Sequence, residues 1–285
     1  MKQCILTSFI STNGGGNKAA VVFDDIGLSE LKMKKIAFVN DLSETAFIRV
    51  GHIKNNEVQI RYFTPNEEVD VCGHAALASF YILKQKGMLS GSHFFHITKA
   101  GKLDVTLEED IIFIEMAQPN LVCEISLEDV LNFTDLNRDD VILNNNSKIS
   151  VISTGLKDII LEVKDLNILK TMDIKKEKMI DFCMKNKFIG IHVVSRETIE
   201  KDSDFACRNF APAVGIDEES ATGTSNASMI YYMTEKYKLD RKRIYKIEQG
   251  YFMDSPSHIY VKIAEEKDNA KIFVGGNVKL IYEEK

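Results

Sequence analysis

Arg61-Tyr62-Phe63-Thr64-Pro65-Asn66-Glu67-Glu68-Val69-Asp70-Val71-Cys72-Gly73-His74-Ala75-Ala76-Leu77-Ala78-Ser79-Phe80-Tyr81-Ile82-Leu83 reads as a strand, a turn and a helix. Val58, Ile60, Tyr62 and Thr64 alternate with Gln59, Arg61 and Phe63, the period of a pleated strand. Pro65-Asn66 ends it. Cys72-Gly73-His74 opens a helix that runs to about Lys86, with Gly87 as its stop. The first turns of this helix are small or apolar on every side, which predicts burial. A buried helix that begins at a glycine offers an anion its unpaired N–H groups and the positive end of its dipole.

The phrase recurs. Arg208-Asn209-Phe210-Ala211-Pro212 repeats the Arg-x-Phe-x-Pro of Arg61 to Pro65, and Glu218-Glu219-Ser220-Ala221-Thr222-Gly223-Thr224 repeats the pattern of Glu68 to His74. Gly223 matches Gly73, and a helix-like run follows from Ser225 to Tyr237. Two copies this far apart do not make a solenoid. They predict two similar halves, each with a glycine-opened helix at its centre.

Around these copies the chain reads as many strands and few helices. Strands are predicted over 3–10, 19–23, 45–50, 92–98, 101–107 and 111–117, with Ser29 capping a helix over 30–39. Gln118-Pro119-Asn120 marks the boundary between halves. Beyond it come a short helix over 127–133 capped by Ser126, strands over 149–154, 158–163, 189–195 and 204–210, and an amphipathic helix over 177–187. The tail supplies strands over 243–248, 258–264 and 271–274. Regular β-α-β alternation is absent, which excludes a doubly wound nucleotide fold. The expectation is α+β: domains 1–118, completed by the C-terminal strand 275–285, and 119–274, each a sheet or barrel wrapped around its helix, with a ligand cleft between them. The run Gly14-Gly15-Gly16-Asn17 lacks both the P-loop ending and the dinucleotide spacing, so it reads as a loop at the rim of that cleft.

Composition excludes several function classes. The chain has 285 residues, 45% hydrophobic and 27% charged, with a formal net charge of -6, which fits a folded protein without a nucleic-acid or anionic-membrane partner. No apolar run is long enough to span a bilayer, and no secretory signal pattern opens the chain. Cys4, Cys72, Cys123, Cys183 and Cys207 are odd in number and scattered, so neither a disulfide framework nor a zinc ribbon is indicated. The expectation is a cytoplasmic protein with reduced thiols and no metal or cofactor.

Five motifs in order resemble one family. They are Gly16-Asn17-Lys18-Ala19-Ala20-Val21; Ser43-Glu44-Thr45-Ala46-Phe47; Arg61-x-Phe-Thr-Pro65; Glu68-Val-Asp-x-Cys-Gly-His-Ala75; and Arg208-x-Phe-Ala-Pro212 with Glu219-Ser-Ala-Thr-Gly-Thr224. Together with Gln249-Gly250 and Val274-Gly275-Gly276, they are similar to the phenazine-biosynthesis (PhzF-like) isomerases. The resemblance implies the diaminopimelate epimerase fold, an active site between two similar domains, and a homodimer. It also implies that Glu44 is the general acid/base and that His74 lines the same pocket. The second-half Asp and Ser of the family fall at Glu219 and Thr224, with Ser220 in place of a proline. Glu for Asp keeps the carboxylate and moves it by one methylene, so a pocket different from that of the phenazine enzyme is expected.

The residues themselves support a chemistry. A carboxylate in a closed cleft is suited to take and return a proton, and taken alone Glu44 would read as a solvated turn acid. The helix starts, Gly73-His74-Ala75 and Gly223-Thr224-Ser225, can bind a substrate carboxylate or an enolate-like oxygen, with Asn17 and Cys72 beside them. Racemases of this fold oppose two thiols. Here Cys72 holds the first position but Thr222 the second, and a threonine hydroxyl is a poor base without an activating partner. One carboxylate moving a proton along one face of a small carboxylate-bearing metabolite fits better. An epimerase using Glu44 with Cys72 or Glu219, or a non-catalytic metabolite-binding protein, are the alternatives. Cys72 reads as a small buried residue before it reads as a reactive thiol. Arg61 and Arg208 read as structural partners of acids such as Glu68 and Glu218.

Overall fold

The computed structural model describes residues 2–98, 101–109, 111–143, 147–265 and 270–284; Met1 and Lys285, the ends of the expected first-half range, lie outside them. The chain forms two compact units: residues 1–115 with 275–285, and residues 116–274.

The first unit contains β1 (Gln3–Ser8), β2 (Asn17–Asp24), α1 (Glu30–Asn40), β3 (Glu44–Arg49), β4 (Glu57–Phe63), β5 (Glu68–Val69), α2 (Gly73–Gln85), β6 (His93–Thr98), β7 (Gly101–Glu108) and β8 (Ile111–Glu115). The second contains β9 (Asn120–Ser126), α3 (Leu127–Phe133), β10 (Lys148–Ser153), β11 (Lys157–Glu162), α4 (Leu166–Thr171), α5 (Lys176–Asn186), β12 (Gly190–Ser195), β13 (Phe205–Ala211), β14 (Ile216–Glu219), α6 (Gly223–Tyr237), β15 (Ile244–Gln249) and β16 (Ser257–Glu265). Strand β17 (Ala270–Gly276) carries the chain back, and β18 (Val278–Glu283) joins the first unit.

The two sheets share one topology. In the first unit, neighbours run β18-β1-β2-β3-β4-β6-β7, with pairings antiparallel, antiparallel, parallel, antiparallel, parallel and antiparallel. In the second, β9-β10-β11-β12-β13-β15-β16 shows the same succession. The repeat read from two short motifs therefore extends through seven strands of each unit.

Each sheet curls over one helix. Helix α2 packs against β1, β2, β3, β8 and β18, and α6 against β10, β11, β12 and β16. Ala75, Ala76, Ala78 and Ser79 let strands approach α2 closely, while Leu77, Phe80, Ile82 and Leu83 are buried. Burying each of those larger side chains contributes about 1.5–3 kcal/mol. The helix ends as the sequence predicts. Gly87 is left-handed at φ 68°, its N–H bonds to the Lys84 carbonyl, and Met88 N–H bonds to that of Leu83.

The remaining helices cover outer faces. Met33 and Ala37 of α1 pack with Val22, Phe47 and Phe63, and α3, α4 and α5 enclose a second cluster built on Phe133, Leu169 and Met179. Ser126 caps α3 in a reciprocal box with Asp129. Ser29 stands at the N-cap of α1, but its side chain makes no capping bond. Among the described residues no helix is long and apolar enough to cross a membrane.

Candidate active site

In the first unit the structure gathers Glu44, Cys72 and His74. Glu44 begins β3, placed by parallel pairing of β3 with β2 through Ala19. Cys72 is the N-cap of α2 and His74 lies in its first turn. His74 Nε2 is 3.3 Å from Glu44 Oε2 and 3.2 Å from Ser43 Oγ, and Cys72 Sγ is 3.4 Å from Nδ1. Ser8, at the end of β1, donates its hydroxyl to the His74 carbonyl at 2.7 Å and so fixes the helix start. Burial lowers the His74 pKa, against the opposing pull of the Glu44 charge and a hydrogen bond with the Lys18 backbone, so the ring is neutral near pH 7.

Glu44 Oε2 is buried and has no hydrogen-bond partner among the described residues. A buried carboxylate oxygen without a donor is uncommon and costly, and such atoms concentrate where a ligand completes the bonding. Gly73 adds room beside it, because a Cβ at that position would meet nothing within 4 Å. Asn17 opens β2 opposite Ser8, which places it next to the strand end that holds the helix start. Gly16, at φ 85°, leads into it; a Cβ there would lie 2.5 Å from the Ser8 carbonyl, so the last glycine of the rim loop is sterically required.

The second unit builds the matching helix start differently. Thr222 is the N-cap of α6 and donates its hydroxyl to Glu219 Oε2 at 2.8 Å. Gln249, at the end of β15, donates Nε2 to the Glu219 carbonyl at 2.7 Å and to Thr222 Oγ1 at 3.0 Å. Its Oε1 accepts from Thr222 N and from Asn226 Nδ2. Asn226 Oδ1 in turn meets His192 Nε2, whose Nδ1 faces Asn209 Nδ2. A continuous polar chain thus runs from the buried sheet to the site expected to hold Glu219, Gly223, Thr224 and Ser225. Burial holds the His192 pKa down to about 4, so this link is neutral. Gly250 permits the turn after Gln249: at φ 77°, a Cβ would lie 2.2 Å from the Ser255 carbonyl.

The repeat exposes an asymmetry. Thr154 donates to the Thr224 carbonyl at 2.8 Å, as Ser8 does to that of His74, which makes His74 and Thr224 equivalent. From this anchor, the strand registers align Ala19 with Asp158 and Glu44 with Gly190. At Gly190 a Cβ would lie 2.1 Å from the Phe210 carbonyl, so the second unit has no room for a counterpart of Glu44. Its carboxylate sits instead at Asp158, which accepts from Ser225 Oγ at 2.7 Å where the first unit has Ala19 and Ala75.

Sequence reading missed Ser8, Ser43, Asp158, Asn226 and Gln249 as parts of these sites. Ser8 and Thr154 had a usable signal, a hydroxyl closing the first strand of each half. Asp158 and Asn226 had none, because their partners are distant in sequence.

Burial raises the Asp158 pKa to about 6 from 3.8, against the Ser225 hydrogen bond. A raised acid favours the protonated folded state. Its stabilising effect is complete below the unfolded value near 3.8 and is lost as pH rises through about 6. At about 1.4 kcal/mol per unit, the loss is about 3 kcal/mol. Asp158→Asn keeps an acceptor for Ser225 and is expected to gain about that much relative to wild type between pH 4 and pH 8. Urea unfolding of both proteins at the two pH values checks this; parallel pH profiles would contradict it.

With this geometry in place, comparison defines the class. The fold is that of the two-repeat isomerases and epimerases of the diaminopimelate epimerase type. A hydroxyproline epimerase from Agrobacterium vitis superposes with a TM-score of 0.61 at 8% identity, covering 100% of this chain and 91% of that one. The family model described as phenazine biosynthesis-like protein (PhzC-PhzF) matches residues 6–283, and the chain belongs to that family. The Bacillus anthracis PhzF-family crystal structure gives a TM-score of 0.87 at 25% identity, covering 99% of this chain and 97% of that one. The Bacillus subtilis protein named uncharacterized isomerase YfhB is 31% identical over 279 residues, 94% of this chain and 92% of its own.

Proposed function

We propose that this protein is a cofactor-independent isomerase that moves a proton on a small carboxylate-bearing metabolite, with Glu44 as the acid/base. The observation that carries this reading is the buried, unpartnered Oε2 of Glu44, 3.3 Å from His74 at the start of α2. Such an oxygen can accept a substrate C–H proton without first giving up another hydrogen bond. The N–H groups at the start of α2 are suited to hold a carboxylate or the enolate-like oxygen that develops as the proton leaves, a contribution of about 3 kcal/mol per well-placed donor. His74, kept neutral by burial, stands beside Glu44 and can donate to the developing enolate-like oxygen.

Gly190 supports one base over two. Where the first unit carries Glu44, the second has no space for any side chain. Thr222 is committed to Glu219. An epimerase is the second reading; the Glu219–Thr222 hydrogen bond favours it, since a carboxylate beside the hydroxyl supplies the activating partner that a lone threonine lacks. Screening cyclic and unsaturated carboxylic acids for protein-dependent uptake of solvent deuterium by NMR tests the proposal. Uptake into none of a broad panel would favour a binding protein on an enzyme fold.

A further inference from the structure

We infer that Glu44, Cys72 and His74 form a binding site for a soft divalent cation of the zinc class, whose occupancy blocks the proton-transfer position. One donor atom from each of the three residues lies within 4.8 Å of the others. His74 Nε2 stands 3.3 Å from Glu44 Oε2 and 3.9 Å from Cys72 Sγ. In tetrahedral zinc sites, bond lengths of about 2.0–2.3 Å put neighbouring donors about 3.3–3.8 Å apart. The nitrogen–oxygen edge already has that length; Cys72 Sγ lies nearer Nδ1, at 3.4 Å, so its side chain must turn toward Nε2 to close the sulfur edges.

The electrostatics also favour a cation. Glu44 Oε2 is buried with no hydrogen-bond donor, so a cation would supply the bond this atom lacks. The carboxylate and a thiolate together neutralise a divalent charge. Binding replaces the thiol proton, which passes to solvent, and no electron is transferred. One carboxylate, one imidazole and one thiolate form a donor set that zinc and cobalt accept and that magnesium and calcium, which take oxygen ligands, do not. Three protein ligands leave a fourth position for water or a substrate carboxylate, and Ser43 Oγ lies 3.2 Å from the same ring nitrogen. The supports are already built. Ser8 holds the His74 carbonyl, and the Lys18 backbone bonds to the imidazole, as outer-shell partners of metal-binding histidines do.

The metal site stands whether or not the isomerase reading holds; that its occupancy blocks proton transfer rests on that reading. Titrating the reduced full-length protein with Co²⁺ tests it. The expected result is one equivalent bound, with visible bands of a four-coordinate ion and a near-ultraviolet thiolate-to-cobalt band. Cys72→Ser should abolish the thiolate band, and Cys123→Ser, at an exposed cysteine of the second unit, should keep it. By calorimetry, Zn²⁺ affinity should fall at least about 100-fold in Cys72→Ser and in His74→Gln, beyond the 10–100-fold typical of outer-shell changes. Melting curves without metal establish that each variant is folded. A thiolate band that survives in Cys72→Ser, or Zn²⁺ affinity unchanged in both Cys72→Ser and Glu44→Gln, would overturn the assignment. Inhibition of deuterium uptake by Zn²⁺, reversed by a chelator, would then connect the site to turnover.

Discussion

Glu44→Gln is expected to lower turnover by about 10²–10⁴-fold while leaving the fold as stable as before or slightly more so. The amide keeps the shape of the carboxylate but cannot take a proton. Its effect on stability follows from the structure: Oε2 is buried and accepts no hydrogen bond, so no native bond is lost there. The two readouts should therefore move apart. Steady-state kinetics on the identified substrate measure the first, and thermal unfolding the second. Glu44→Asp is the informative companion. It retains the carboxylate but withdraws it by one methylene from His74, and partial activity is expected. A purely structural Glu44 would show the reverse pattern, with Glu44→Gln losing stability and keeping turnover.

The second large effect is one of stability. The same Arg-x-Phe motif holds each half, but the two copies are not equally buried. Arg61 bonds Glu68 through Nε at 2.6 Å and Nη2 at 2.8 Å, with its side chain 34% exposed. Arg208 bonds Glu218 through Nε at 2.9 Å and Nη2 at 2.8 Å, with its side chain only 11% exposed. Its Nη1 also donates to the Leu169 and Met172 carbonyls around the end of α4. Removing Arg208 leaves a carboxylate and two carbonyls without their donor. Arg208→Met is accordingly expected to cost about 3–5 kcal/mol. Arg61→Met, which removes a more exposed arginine from the matching pair, is expected to cost about 1–2 kcal/mol. Chemical denaturation of both variants measures the difference, and hydrogen exchange should place the Arg208 loss in residues 116–274. Equal losses would mean that burial does not set the worth of the motif.

These two residues also show what the sequence could and could not reveal. The pairing of Arg61 with Glu68 and Arg208 with Glu218 follows from the repeat alone, because a strand and the turn after it fix both partners locally. The same local reasoning finds α2, its stop at Gly87 and the capping box of α3. It fails for β9, where an exposed Leu121 blurs the alternation and the chain reads as a boundary, and for α4, whose cap Asp165 precedes a helix of only six residues. The site divides the same way. Glu44, Cys72 and His74 lie in recognisable motifs, and their convergence needs only the parallel pairing of β2 with β3. Asp158 with Ser225, and Asn226 with Gln249, are tertiary pairs. Each looks like an ordinary polar residue until the sheet closes over α6, after which burial decides its protonation and its partner.

The asymmetry between the units bears most on mechanism. Symmetric placement of a base on each helix start would serve inversion. Here the position equivalent to Glu44 is Gly190, pressed against the Phe210 carbonyl, and the position equivalent to Cys72 is Thr222, bonded to Glu219. Under the proposed function, Gly190 favours a single proton carrier on the first unit.

The most direct measurement of that claim is where solvent deuterium ends in the product. With a turned-over carboxylate substrate in D₂O, one-base transfer, with the Glu44 carboxyl proton exchanging against solvent before it is returned, predicts deuterium at the carbon that gains the proton, no inversion of the original centre, and loss of the signal in Glu44→Gln. Deuterium at the original carbon with inversion, or incorporation unchanged in Glu44→Gln, would contradict it.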